Sequence, residues 1–233
     1  MGEFELIRNF FAAAPCAQGG EGVDLGIGDD CALLAVPPGE QLAISTDTLV
    51  AGVHFADPCD PFLLGQRSLA VAVSDLAAMG ATPIAFTLAL TLPTVTADWL
   101  EAYSRGLNLM AQRCGVGLVG GDTTRGPLNL CVTALGEVPV GAALRRDHAE
   151  VGDDLWVSGQ PGLAALGLAH LQGKIVLPEP LAARCITALQ RPLPRVELGL
   201  ALRQAGACPC GNRCFRWLVG GYRPHRRALR SRP

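Results

Sequence analysis

Between Arg67 and Asp98 the chain carries one charged residue, Asp75, in a run that is otherwise apolar or small and polar. A stretch of that length without charge belongs in a protein interior, and its Ser, Thr, Gly and Pro residues recur too often for a membrane span. The spacing changes half-way. Leu64, Ala70, Val71, Leu76 and Met79 recur at helical intervals, which predicts a helix over 61–79 stopped by Gly80. Pro83 to Leu92 alternates small, β-branched and aromatic residues up to Pro93 and reads as a strand. Asp75 then falls in the last helical turn, at the negative pole of the helix dipole, where a carboxylate is unfavourable unless a cation or donor is close.

The flanking segments extend this pattern. Residues 24–36 and 41–55 read as strands around acidic turns, with Pro37-Pro38-Gly39 between them, and together predict a β-hairpin. A helix follows from Thr96 as N-cap to Cys114, with Gly115 as its stop. Val116–Val119 is a short strand entering a Gly120-Gly121-Asp122 turn, and Leu128–Val138 is another strand. Mixed strands and helices in this order predict an α/β or α+β domain over 1–140. A linker over 141–152 contains Arg145-Arg146, and a partial second domain over 153–205 opens with a strand at Asp154–Gly159 and a helix at Leu163–Leu171.

Composition narrows the class. With 233 residues, 49% of them hydrophobic, the chain can bury a substantial core. Glu3, Glu5 and Arg8 precede Phe10-Phe11-Ala12, the wrong order for a secretion signal, so the expected location is the cytoplasm, with no membrane partner. The cysteines at 16, 31, 59, 114, 131 and 185 then read as reduced core residues. Cys208-x-Cys210-x3-Cys214 resembles half a zinc site without an evident second pair. Eight of the nineteen basic residues follow Glu197 and no acidic residue does, a basic tail that could in principle meet nucleic acid.

Acidic residues recur in short glycine- or hydroxyl-rich segments: Gly28-Asp29-Asp30, Ser45-Thr46-Asp47-Thr48, Ser74-Asp75 and Gly120-Gly121-Asp122. Two carboxylates about 4 Å apart repel by roughly 4 kcal/mol at an effective dielectric near 20, so clustering them calls for protons or cations. Mg2+ suits such a set, since it takes oxygen ligands and bridges to substrate phosphates. Taken singly, most have an ordinary reading. Asp29-Asp30 serves as a solvated turn, Asp47 as a turn cap, Gly120-Gly121-Asp122 as a loop signal, His54 as a packed polar residue and Arg146 as a surface charge. Gly26-Ile27-Gly28 fails the dinucleotide fingerprint, there is no P-loop, and Lys174 is the sole lysine. Phosphate chemistry here would rest on metal, arginine and backbone N–H groups.

Jointly, residues 25–34, 43–55, 74–81 and 120–127 resemble the thiamine-monophosphate kinase family, from Gly2 to about Ala205. The Ser-Thr-Asp-Thr-Leu-Val segment with His54 distinguishes that family from its superfamily relatives, aminoimidazole ribonucleotide synthetase and selenophosphate synthetase. The resemblance implies a mixed-sheet N-terminal domain that dimerises through its sheet, an α+β C-terminal domain, and ATP in a cleft at the dimer interface. It further implies that Asp30, Ser45, Thr46, Asp47, Asp75 and Asp122 are Mg2+ ligands, that Gly121, Asp122 and Arg146 contact the nucleotide, and that His54 contacts thiamine monophosphate. The implied reaction moves the ATP γ-phosphoryl group to thiamine monophosphate, giving thiamine diphosphate.

After Ala205 the family continues with an acidic motif of the form I-D-[IVL]-S-D-G-L, whereas this chain runs into Cys208-Pro-Cys-Gly-Asn-Arg-Cys-Phe-Arg-Trp-Leu218. Read from the second base of each codon, Asn212 to Leu218 permits I-D-V-S-D-G-L. Residues 206–233 therefore read as the out-of-frame product of a one-base insertion or deletion, and the arginine excess as GC-rich codons, which removes the case for nucleic acid. Two alternatives follow: a non-catalytic remnant that dimerises or weakly binds Mg-ATP, and another small-molecule phosphoryl transferase or synthetase of the superfamily.

Overall fold

The computed structural model describes residues 3–18 and 20–206. A short helix α1 (Glu3–Leu6) opens the chain, and strands β1 (Val23–Leu25) and β2 (Leu33–Leu34) form a small antiparallel pair. The main body comprises β3 (Glu40–Val50), α2 (Pro61–Ala78), β4 (Thr82–Leu92), α3 (Ala97–Cys114), β5 (Gly117–Arg125) and β6 (Asn129–Pro139). Three helices follow: α4 (Leu163–Leu171), α5 (Leu181–Gln190) and α6 (Val196–Ala205). The protein is thus a mixed α/β fold.

The four long strands form one sheet in the order β3-β6-β4-β5, parallel only between β4 and β5. That parallel pair needs a crossover, which α3 supplies. Helices α2 and α3 pack together against the sheet, and the core lies between, around Phe86, Leu88, Leu90, Leu130 and Val132 from the strands and Leu69, Val73, Leu76, Leu100 and Leu107 from the helices. The two helices approach backbone to backbone at Gly65 and Gly106, where a Cβ would run into the Tyr103 and Phe62 carbonyls respectively. The buried hydroxyls of Ser68 and Tyr103 satisfy each other across the pair at 3.0 Å.

Local chemistry sets the helix ends. The Asp60 carboxylate accepts from the Phe62 and Leu63 amides at 2.8 and 3.4 Å, with Pro61 following, so α2 begins with a side-chain cap. Thr96 stands at the N-cap of α3 without a capping side-chain bond, and Gly115 ends that helix in the left-handed region at φ 65°.

Three expectations are corrected. The predicted hairpin of 24–36 with 41–55 does not form. β3 instead pairs with β6 along its whole length, from Glu40 opposite Pro139 to Val50 opposite Asn129, a far longer ladder than the two-residue β2 offers. Gly120-Gly121-Asp122 is no turn but the middle of β5, paired with Thr87, Leu88 and Ala89. Asp154–Gly159 makes no strand among the described residues; Leu155 and Trp156 there are exposed. The stretch proposed as a linker is partly docked, because Leu144 is buried and its amide donates to the Met79 carbonyl at 3.0 Å. The tail reading falls outside the described residues, apart from Gly206, which ends α6 at φ 61°.

No described helix is long and apolar enough to cross a membrane. The cysteines at 16, 31, 59, 114, 131 and 185 are free thiols, but only Cys16 and Cys185 are buried and Cys31 is exposed, so the expected core placement holds for two of them.

Candidate functional site

Helix α2 brings Asp75 to β3. The Ser45 hydroxyl donates to the Asp75 carboxylate at 2.6 Å, joining residues thirty positions apart in sequence. This charge-assisted bond offsets the unfavourable position of a carboxylate near the C-terminal end of a helix. Alternation along β3 places Asp47 on the same inward face as Ser45, and both are half-buried. Ser45, Asp47 and Asp75 therefore form an oxygen-only group at the β3 edge of the sheet.

Thr46 points the other way. It belongs to the outer row Thr46–Thr133–Thr87, and its hydroxyl meets that of Thr133 at 3.0 Å. Asp122 shares the next outer row with Ala89, Cys131 and Thr48, at the far edge of the sheet. Gly121 beside it is required sterically, since a Cβ there would strike the Leu88 carbonyl. Asp47 and Asp122 thus sit on opposite edge strands, three spacings or about 14 Å apart across the sheet. Among the described residues no three His, Cys, Asp or Glu side chains come close enough to hold a metal together.

Asp30 lies in an exposed turn, where its amide donates to the Asp29 carboxylate at 2.8 Å. His54 closes the loop after β3. Its Nδ1 accepts from the Val50 amide at 3.0 Å, its own amide donates to the Val50 carbonyl at 2.9 Å, and Gly52 donates to the Phe55 carbonyl at 2.8 Å. With Nδ1 an acceptor, the proton of the neutral ring is on Nε2, which makes that atom a donor. Arg146 is exposed next to Arg145, whose guanidinium holds the Asp147 carboxyl below its ordinary range through a bidentate pair at 2.8–2.9 Å. A cleft of about 240 Å³ lies beside it, lined by Ala142, Leu144, His148 and Arg203. One guanidinium nitrogen of Arg203, Nη1, is buried without a hydrogen-bond partner.

Residues 28–138 match the model of the AIR synthase related protein, N-terminal domain. The chain is 48% identical over 203 residues to a thiamine-monophosphate kinase from Salmonella typhimurium, covering 87% of this chain and 62% of the relative. The crystal structure of the thiamine-monophosphate kinase from Stenotrophomonas maltophilia is 48% identical, with a TM-score of 0.72 over 79% of this chain and 60% of that one. AaThiL complexed with AMPPCP and TMP is 27% identical, with a TM-score of 0.67 over 73% of this chain and 55% of that one. The chain therefore spans about three-fifths of the length of the relatives it matches.

Three residues escaped the sequence reading. Asp60 was legible in principle as Asp-Pro before an apolar run. Arg67, 7% exposed, donates from Nη2 to the His54 carbonyl at 2.9 Å, and a lone arginine in a helix carries no sequence signal for that. Arg203 enters the cleft only because α6 packs back on α2, where a Cβ on Gly199 would meet the Ala77 carbonyl.

Proposed function

We propose that the protein carries the N-terminal part of an ATP-dependent thiamine-monophosphate kinase, acting in the cytoplasm with Mg2+. The 2.6 Å Ser45–Asp75 bond supports this best, because it brings the Ser-Thr-Asp-Thr and Ser-Asp segments together as a carboxylate and hydroxyl donor set. Similarity to thiamine-monophosphate kinases over 87% of the chain agrees with it. The donor set fits Mg2+, which binds one or two carboxylates plus substrate phosphates and needs no all-protein cage. Ser45, Asp47 and Asp75 would hold one ion, Asp30, Thr46 and Asp122 would serve further Mg2+ ions, and the bound ions would neutralise phosphate charge.

The chain's own residues have separate tasks. His54 Nε2–H can donate to a phosphate oxygen of thiamine monophosphate, while Gly121, Asp122 and Arg146 would contact the nucleotide. Thiamine monophosphate already presents an ionised phosphate oxygen as nucleophile, so no strong general base is needed. Holding two anions in line is the main work.

A homodimer is part of the reading. Leu42 and Ile44 expose apolar surface on the outer sheet face, Ile44 at 60%. Asp122 stands on the same outer face at the far edge strand, so a second copy against this face would lie beside it. Thiamine-monophosphate-dependent ADP release by the full chain tests the proposal, and its absence in the presence of Mg2+ and ATP would count against it.

A further inference from the structure

A buried guanidinium is expensive unless its donors are used. Arg67, in the second turn of α2, is 7% exposed, and its Nη2 reaches the main-chain carbonyl of His54 at 2.9 Å. The loop it touches is tightly specified. Val50 is bonded both to the His54 amide, through its carbonyl, and to His54 Nδ1, through its amide, while Gly52 turns the chain at φ 74° and bonds Phe55. These bonds tie the loop to the end of β3, the Ala51 amide donates to the Leu128 carbonyl at 3.1 Å, and Phe55 is buried in the core. The Arg67 bond adds a side-chain hold on the His54 carbonyl itself, from a helix whose flanking residues Leu64, Leu69 and Val71 are buried in the core.

We infer that Arg67 is a positioning residue: by gripping the His54 carbonyl it keeps the imidazole under the Val50 amide, holding the Nε2–H tautomer that donates to an anionic acceptor. The substrate part of this inference rests on the proposed thiamine-monophosphate site; the tautomer part does not. Loss of the grip releases the His54 carbonyl within a loop otherwise held at Ala51 and Phe55, and the Val50–Nδ1 bond becomes intermittent, so the ring samples both tautomers.

His170 provides an internal control. Its Nδ1 also accepts a main-chain amide, that of Leu177 at 3.2 Å, far from Arg67 in sequence and on a different element. The experiment is long-range 1H–15N correlation on the full chain with 15N-labelled histidine, comparing wild type with Arg67→Met and assigning His54 by His54→Asn. The expected result is a single Nε2–H tautomer for both His54 and His170 in the wild type. In Arg67→Met the His54 signals should become those of a tautomer mixture and the His170 signals stay unchanged. Unchanged His54 signals in the variant overturn the inference, as does equal disturbance of both histidines, which marks general loosening. Should the methionine variant not fold, Arg67→Gln, too short to span the gap, is judged by the same outcomes. Calorimetric titration with thiamine monophosphate should then show about a tenfold loss of affinity, the scale of one hydrogen bond to a charged group, with ATP affinity unaltered. A single wild-type tautomer that Arg67→Met turns into a mixture, in a protein that binds no thiamine monophosphate, upholds the role of Arg67 and removes the substrate reading.

Discussion

The body from Glu40 to Pro139 and the stretch from Val140 to Gly206 are built on different terms. In the first, every long strand has a partner along its length, and the sheet and two helices enclose nearly all of the buried apolar side chains. In the second, only Leu144, Ala182, Cys185 and Leu189 are buried hydrophobics, and Val151, Trp156 and Val176 are 93, 87 and 90% exposed. The composition of the two is similarly apolar, so hydrophobicity alone does not make a core. A strand needs a neighbour for its N–H and C=O groups, and 154–159 has none among the described residues. Apolar surface left in that condition favours association.

The largest effect that would sharpen this contrast is a cavity in the first region. Phe86→Ala removes a fully buried ring and should cost about 3–5 kcal/mol, read as the shift of the urea midpoint. A loss below about 1 kcal/mol would break the comparison, because it would mean the sheet–helix core does not carry the fold. Next is Asp47→Asn, a nearly isosteric change on the inner face of β3. Turnover dependent on Mg2+ should fall by about a hundredfold or more, with circular dichroism unchanged; undiminished activity counts against the metal assignment. Asp60→Ala should cost about 1 kcal/mol by removing the cap of α2.

A smaller effect is expected in alkali. Burial pushes the thiols of Cys16, Cys59 and Cys114 from 9.0 up to about 11. The folded chain therefore keeps protons that the unfolded chain releases, so stability holds below about pH 9 and declines as pH rises toward about 11. Denaturant midpoints across that window check the sign, and alanine at these positions should flatten the decline. Trp156→Ala, on the exposed stretch, should change stability by no more than about 0.5 kcal/mol. A larger loss would show that the stretch is packed, and the contrast between the two regions would fail.

The helices were legible because their spacing, stops and lengths are local: α2 and α3 fall within a residue of the ranges 61–79 and 96–114. The strands were legible as strands, but their partners were not. The reading of 24–36 with 41–55 followed sequence proximity, and β3 instead found β6, some ninety residues away at Ile44 and Leu135. Gly120-Gly121-Asp122 misled for a related reason. Glycine signals either a turn or a close approach, and the Leu88 carbonyl behind Gly121 shows that the second applies.

By itself the sequence determined which residues can do chemistry: Asp, Ser and Thr in short segments, His54, and the arginines that must stand in for lysine. It determined their local conformations too, because propensity, capping and periodicity act over a few residues. Only the tertiary structure decided which of them meet. It put Ser45 on Asp75, set Asp47 and Asp122 on opposite edges of one sheet, and buried Arg67 against the His54 carbonyl. Those pairings depend on strand order and helix packing, which are set by burial of the whole core and leave no mark at the positions they join.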